Sequence, residues 1–135
     1  GSNGLIQINA KLGIFVQSYK LYKDHDLCVI KAPKILGEGL KLGSDPVIGE
    51  NIYMMGHPKL QPARLVSGFY FLTEKIFVEE LLSSYRMLIT SFPGNSGSPI
   101  LNIYGHVIGV LYAGSEIDSL AVPLKDLERF LKSLK

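Results

Sequence analysis

The sequence holds one cysteine, Cys28, no tryptophan, and a net charge of only +2 over 135 residues. A single thiol excludes an internal disulfide framework and suits a reducing compartment, so a cytoplasmic location is the expectation. With 14 Lys and Arg against 12 Asp and Glu, the chain offers no electrostatic footing for nucleic acid or an anionic membrane. The best apolar stretch, "VIGVLYAG" at 107–114, falls far short of the roughly 20 residues that a membrane-spanning helix needs. No signal peptide is legible at the amino end. No His, Cys, Asp and Glu grouping has metal-ligand spacing, and no cofactor is expected. The glycines of "PKILGEGLKLGSDPVIG" are followed by no Gly-Lys-Ser/Thr, which excludes a phosphate cradle of that kind.

What is present is 47% hydrophobic and arranged in short runs split by turn signals, the pattern of a β-barrel or sandwich. Strands are expected near "LIQIN", "GIFVQSY", "LCVIKA", "ENIYMMG", "ARLVSGFYFL", "KIFVEE", "RMLIT", "SPILN", "HVIGVLYA" and "SLAV". One helix is expected, in "VPLKDLERFLKSLK". Pro123 suits its first turn, and Leu124, Leu127, Leu131 and Leu134 recur at three- and four-residue spacing, with Phe130 widening that face. Cys28, the Met54-Met55 pair and the aromatics of "FYFL" read as core packing.

The stretch "SFPGNSGSPIL", Ser91 to Leu101, has a different character. Gly94, Asn95 and Gly97 tolerate left-handed or tightly turned backbone, which places Ser96 at the tip of a sharp turn before an apolar strand. An exposed hydroxyl flanked by outward N–H groups suits a nucleophile with an oxyanion hole; an ordinary hairpin loop has the same composition. A serine nucleophile needs a histidine base and a carboxylate that orients it. Asp26, at the mouth of the run Leu27 to Ala32, is a candidate carboxylate, ahead of Asp24; it is equally the start of a strand.

"DLCVIKAP", "LKLGSDPVIGENIYMMGHP", "GNSGSPIL", "GHVIGVLYAGS" and "LAVPLKDLERFL" follow one another in an order that resembles the chymotrypsin-fold (trypsin-like) serine proteases. The likeness is strongest to the disulfide-free bacterial Deg, or high-temperature-requirement, branch and to small viral serine proteases, and runs from about Leu5 to Leu134. It implies an all-β, two-barrel chymotrypsin-like fold with a C-terminal helix. The first barrel would be incomplete, its remainder at 1–36, with a linker at 37–49 and the second barrel and helix at 50–135. Carried over by residue, the family pattern makes Ser96 the nucleophile and Asp26 the carboxylate, with the N–H groups of Gly94 and Ser96 as oxyanion hole. Tyr112, Ala113 and Gly114 would pair with an extended peptide or protein substrate and wall the primary specificity pocket. Thr90, Ser91 and Phe92 would form its other wall. Ser98 stands where the bacterial branch usually has glycine.

The family's histidine precedes its aspartate, within a short helix. Here the histidines are His25, His57 and His106. His25 adjoins Asp26 and diverges from it on a strand start; His57 reads as a loop residue and His106 as a strand end. Leu5 to Asn9 resembles the strand that follows the histidine helix. The histidine is therefore expected outside this sequence, making the complete protein a peptidase and these residues alone inactive. The open first barrel would be filled by a second copy of the chain or by a missing amino-terminal segment. The rival expectation is a catalytically inactive protease-like module that binds extended peptides. Neither pocket wall offers an acid at its base, so cleavage after Arg or Lys is not expected.

Overall fold

Period-two alternation sets the barrel wall. In "NIYMM", Ile52 and Met54 point inward and are fully buried, whereas Asn51 and Met55 face outward. The computed structural model describes residues 4–8, 12–16, 18–22, 27–31, 39–56, 64–77, 81–91 and 95–134. Within them the chain divides into two units, Gly1–Gly39 and Leu40–Lys135.

In the first unit, strands β1 (Gly4–Ile8) and β2 (Leu12–Val16) form an antiparallel pair, Gly4 opposite Val16 and Ile8 opposite Leu12. Strands β3 (Ser18–Tyr22) and β4 (Leu27–Lys31) form a second pair, Ser18 opposite Lys31 and Tyr22 opposite Leu27. The run expected as one strand, "GIFVQSY", is divided between β2 and β3. Leu27 is buried and Cys28 is exposed, so the alternation on β4 runs opposite to the expected phase and the thiol is not a core group.

The second unit is a closed antiparallel barrel of β5 (Asn51–Gly56), β6 (Arg64–Phe77), β7 (Leu81–Leu88), β8 (Pro99–Leu101), β9 (Val107–Gly114) and β10 (Ser119–Pro123), in the order β10-β7-β6-β5-β8-β9. Closure leaves the barrel no free sheet edge along most of its length. The described parts of "ARLVSGFYFL" and "KIFVEE", expected as two strands, belong to the single strand β6, with a register shift between Tyr70 and Leu72. Alternation along β6 puts Tyr70 inside while Phe69 and Phe71 are 50% and 44% exposed, so only one aromatic of "FYFL" fills the barrel. The core is built from Ile52, Met54, Tyr70, Tyr85, Met87, Ile89, Ile100, Ile108 and Leu111. The Tyr70 and Tyr85 rings meet edge to face with centroids 5.3 Å apart.

From Leu40 the stretch read as linker runs against this barrel. Gly43 N–H donates to the Val107 carbonyl at 2.8 Å and Val107 N–H to the Lys41 carbonyl at 2.8 Å; Gly49 N–H donates to the Tyr70 carbonyl at 2.9 Å.

Helix α1 (Leu124–Ser133) follows β10 directly, and Pro123 is its N-cap, extended at φ −64° and ψ 155°, rather than a first-turn residue. Proline has no side chain to cap the first N–H groups. The Tyr85 hydroxyl, from β7, accepts the Leu124 N–H at 3.1 Å instead, and donates to Asp45 Oδ1 at 3.2 Å. Leu124, Leu127 and Phe130 are buried; Leu131 and Leu134 are exposed, which turns the buried face away from the expected line of four leucines.

Candidate active site

Asn95, Ser96, Gly97 and Ser98 form a β-turn closed by the Ser98 N–H donating to the Asn95 carbonyl at 3.0 Å. Gly97 has φ +88°, the third-position geometry of a type II turn, which a side chain opposes. Ser96 is the second residue of that turn and is exposed. Its N–H has no backbone acceptor among the described residues. Asn95 is buried beneath it, with its side-chain oxygen lacking a described partner. The turn is riveted to β9: Gly97 N–H donates to the Leu111 carbonyl at 2.8 Å and Leu111 N–H to the Ser98 carbonyl at 3.0 Å.

That pairing ends at Leu111. From Ala113 to Gly114, β9 is paired only with β10, Leu120 opposite Ala113 and Ser119 opposite Gly114. Among the described residues, one backbone edge of Ala113–Gly114 has no strand partner, the arrangement that accepts an extended peptide as an added strand. The Tyr112 side chain is turned aside: its hydroxyl donates to Ser84 Oγ at 2.7 Å, and burial raises its pKa.

Thr90 and Ser91, just beyond the end of β7, are bonded to the residues that follow Gly114. Ser91 N–H donates to the Ser115 carbonyl at 2.9 Å, and Thr90 Oγ1 to the Glu116 carbonyl at 2.8 Å. Ser91 Oγ and Ser119 Oγ lie 2.8 Å apart, both buried. A Cβ on Gly114 would come 2.1 Å from Ser91 Oγ, so only glycine fits there. Ser91 and Gly114, expected on opposite walls, thus lie against one another. Ser119, which sequence reasoning missed, is what joins them; its signal is weak, a lone serine opening the strand "SLAVP".

The loop beyond Gly114 is tied down by charge. Arg86 pairs with Glu74 (Nη2 to Oε1, 2.6 Å) and with Asp118, and both carboxylates hold the guanidinium pKa further up. Asp118 also pairs with Ser115 Oγ at 3.3 Å.

Asp26, Gly94 and Phe92, together with His25 and His57, lie outside the described residues. His106 does not approach Ser96. It closes the far end of the β8–β9 hairpin, where Asn102 N–H donates to its carbonyl at 2.9 Å. Four residue steps along the strand, Ser98 to Asn102, set that pair about 13 Å from Ser98. Among the described residues no group of three His, Cys, Asp or Glu could hold a metal ion.

The matched pattern of the trypsin-like peptidase domain spans residues 8–110, and the chain belongs to that family. The span takes in both Asp26 and Ser96. No curated protein matches the chain significantly. Among solved structures, the chain is similar to the Rv3671c protease from M. tuberculosis in an active form, with a TM-score of 0.81 at 14% identity, covering 90% of this chain and 59% of that one. It is similar also to a mutant of Rv3671c from M. tuberculosis H37Rv in an inactive form, TM-score 0.78 at 12% identity, covering 90% and 65%. At such identities the likeness is one of fold. The chain spans less than two thirds of the length of these two structures.

Proposed function

We propose that this chain carries the nucleophile half of a serine endopeptidase with the two-barrel chymotrypsin-like arrangement, its first unit being part of the first barrel. The observation that carries the reading is the exposed Ser96 at the tip of a turn held to β9, next to a backbone edge with no strand partner among the described residues. A peptide added along Tyr112–Gly114 brings its carbonyl carbon to Ser96 Oγ. The hydroxyl attacks that carbon while a histidine takes its proton, with Asp26 orienting the imidazole. The carbonyl oxygen becomes an oxyanion received by the N–H groups of Gly94 and Ser96, each such donor being worth on the order of 100- to 1,000-fold in rate. Collapse breaks the C–N bond, the histidine returns its proton to the leaving amine, and water then hydrolyses the acyl-Ser96 ester. Family resemblance supports the kinship with the bacterial Deg branch and small viral proteases, and the residue roles above.

The test is covalent labelling of the complete protein by a fluorophosphonate probe, with Ser96→Ala expected to abolish it. No labelling at Ser96 overturns the peptidase reading. The second reading is a module that grips extended peptides without cutting them. It is favoured by His106 standing at the far end of its hairpin from Ser98.

A further inference from the structure

We infer that Arg86 is a positioning residue for the peptide: through Asp118 it fixes the 115–118 loop that joins β9 to β10, and with it the Ala113–Gly114 edge. The inference rests on the proposed function, in which an extended peptide adds to that edge.

Arg86 lies on the outer face of β7, since its neighbours Tyr85 and Met87 belong to the core. On the next strand Leu72 is opposite Arg86 and Glu74 opposite Ser84. Glu74 reaches across that diagonal: its Oε1 accepts from Arg86 Nε at 2.8 Å and from Nη2 at 2.6 Å. Both bonds fall on one side of the planar guanidinium, which sets its aim and leaves Nη1 for Asp118. Asp118 closes the loop. Its carbonyl accepts the Ser115 N–H at 2.7 Å, and its carboxylate pairs with Ser115 Oγ at 3.3 Å. Ser115 Oγ in turn accepts the Ile117 N–H at 3.1 Å and the Asp118 N–H at 3.3 Å. A displacement of Asp118 is therefore a displacement of Ser115, the residue next to the edge. Nor is the edge held firmly from behind. Strand β10 meets it only through Ser119 opposite Gly114 and Leu120 opposite Ala113, and the register shifts directly after Leu120. Thr90 and Ser91 bond the near end of the loop, at Glu116 and Ser115, and Arg86 holds its far end. Among the described residues no other cation pairs with the loop. The side chains of Arg86, Glu74 and Asp118 are 32%, 29% and 35% exposed, and ion pairs so placed add little to global stability. What this network supplies is orientation, because a guanidinium fixed on one side gives Asp118 one place to sit.

The test is peptide binding by the full chain, read by fluorescence anisotropy. The probes are a capped hexapeptide of alternating threonine and valine with a neutral fluorophore, and the same peptide N-methylated at alternate residues. Neither carries charge, so loss of Arg86 cannot act on them directly, and N-methylation removes the N–H groups that strand addition uses. The parent is expected to bind the plain peptide about tenfold more tightly than the methylated one, the worth of one to two backbone hydrogen bonds. Arg86→Met and Asp118→Asn should each lose most of that discrimination, and Arg86→Lys, which keeps a single ion pair, should fall between. Melting temperatures should stay within about 3 °C of the parent. Amide exchange should quicken at Ser115 and Asp118 and not at Leu111. Equal binding of the two peptides by the parent, no peptide binding at all, full discrimination in both variants, or a loss that only follows a general fall in melting temperature would each overturn the inference. Fluorophosphonate labelling separates it from the reading beneath: labelled Ser96 with variants that discriminate as the parent does sinks the positioning role alone, and a graded series without labelling sinks hydrolysis alone.

Discussion

Replacing Tyr85 by Phe isolates one oxygen atom on which the helix and the 40–49 segment both depend. The ring stays, with its edge-to-face contact to Tyr70. The hydroxyl that accepts the Leu124 N–H at 3.1 Å and donates to Asp45 at 3.2 Å is lost. Leu124 is 2% exposed, so its N–H is left without water or partner, a loss of about 1–3 kcal/mol. Asp45 is exposed and rehydrates, so that side adds no more than about 1 kcal/mol. A total near ~2 kcal/mol lowers the melting temperature by roughly 8–16 °C in a unit of this size. Urea unfolding followed by circular dichroism should show a lower midpoint with unchanged slope. Amide hydrogen exchange at Leu124 should accelerate in Tyr85→Phe and stay near the parent rate in Asp45→Asn. A loss below about 0.5 kcal/mol, with Leu124 still protected, would refute the cap, because a net hydrogen bond alone is worth more.

Burial raises the Tyr85 pKa well above the usual tyrosine range, and burial raises that of Tyr112 as well. Both are acids with raised folded-state values, so their stabilising effect is complete below about pH 10, where unfolded tyrosine titrates, and is lost as pH rises beyond it. The stability of the parent should therefore fall above that pH by up to about 1.4 kcal/mol per unit for each group, and Tyr85→Phe should fall less steeply in a pH series of urea melts. Gly114→Ala should destabilise the barrel by about 1–3 kcal/mol, since its Cβ meets two serine side chains with no room to withdraw. An unchanged midpoint for that variant would mean that the two walls separate easily.

Local chemistry made the Ser96 turn legible: Gly-Asn-Ser-Gly offers the backbone freedom that a φ of +88° at Gly97 requires, and that preference belongs to the residues themselves. Short apolar runs likewise announced most of the strands. Where one strand ends and another begins was harder. "GIFVQSY" holds two strands and "ARLVSGFYFLTEKIF" holds one, because backbone pairing with distant partners, not the apolar content, decides continuity. Alternation gives two possible phases, and only a neighbouring strand chooses between them; hence Cys28 lies outward and Phe69 and Phe71 flank a buried Tyr70.

Family order in the sequence placed Thr90, Ser91 and Tyr112–Gly114 on two expected walls, but gave no sign that Ser91 would meet Ser119. Ser91 and Ser119 are 28 residues apart, and Tyr85 lies 39 residues from the amide it caps. No propensity or period encodes such pairs. A lone serine or tyrosine acquires its role when barrel closure brings a second polar atom within hydrogen-bond reach and removes the water that would otherwise satisfy both.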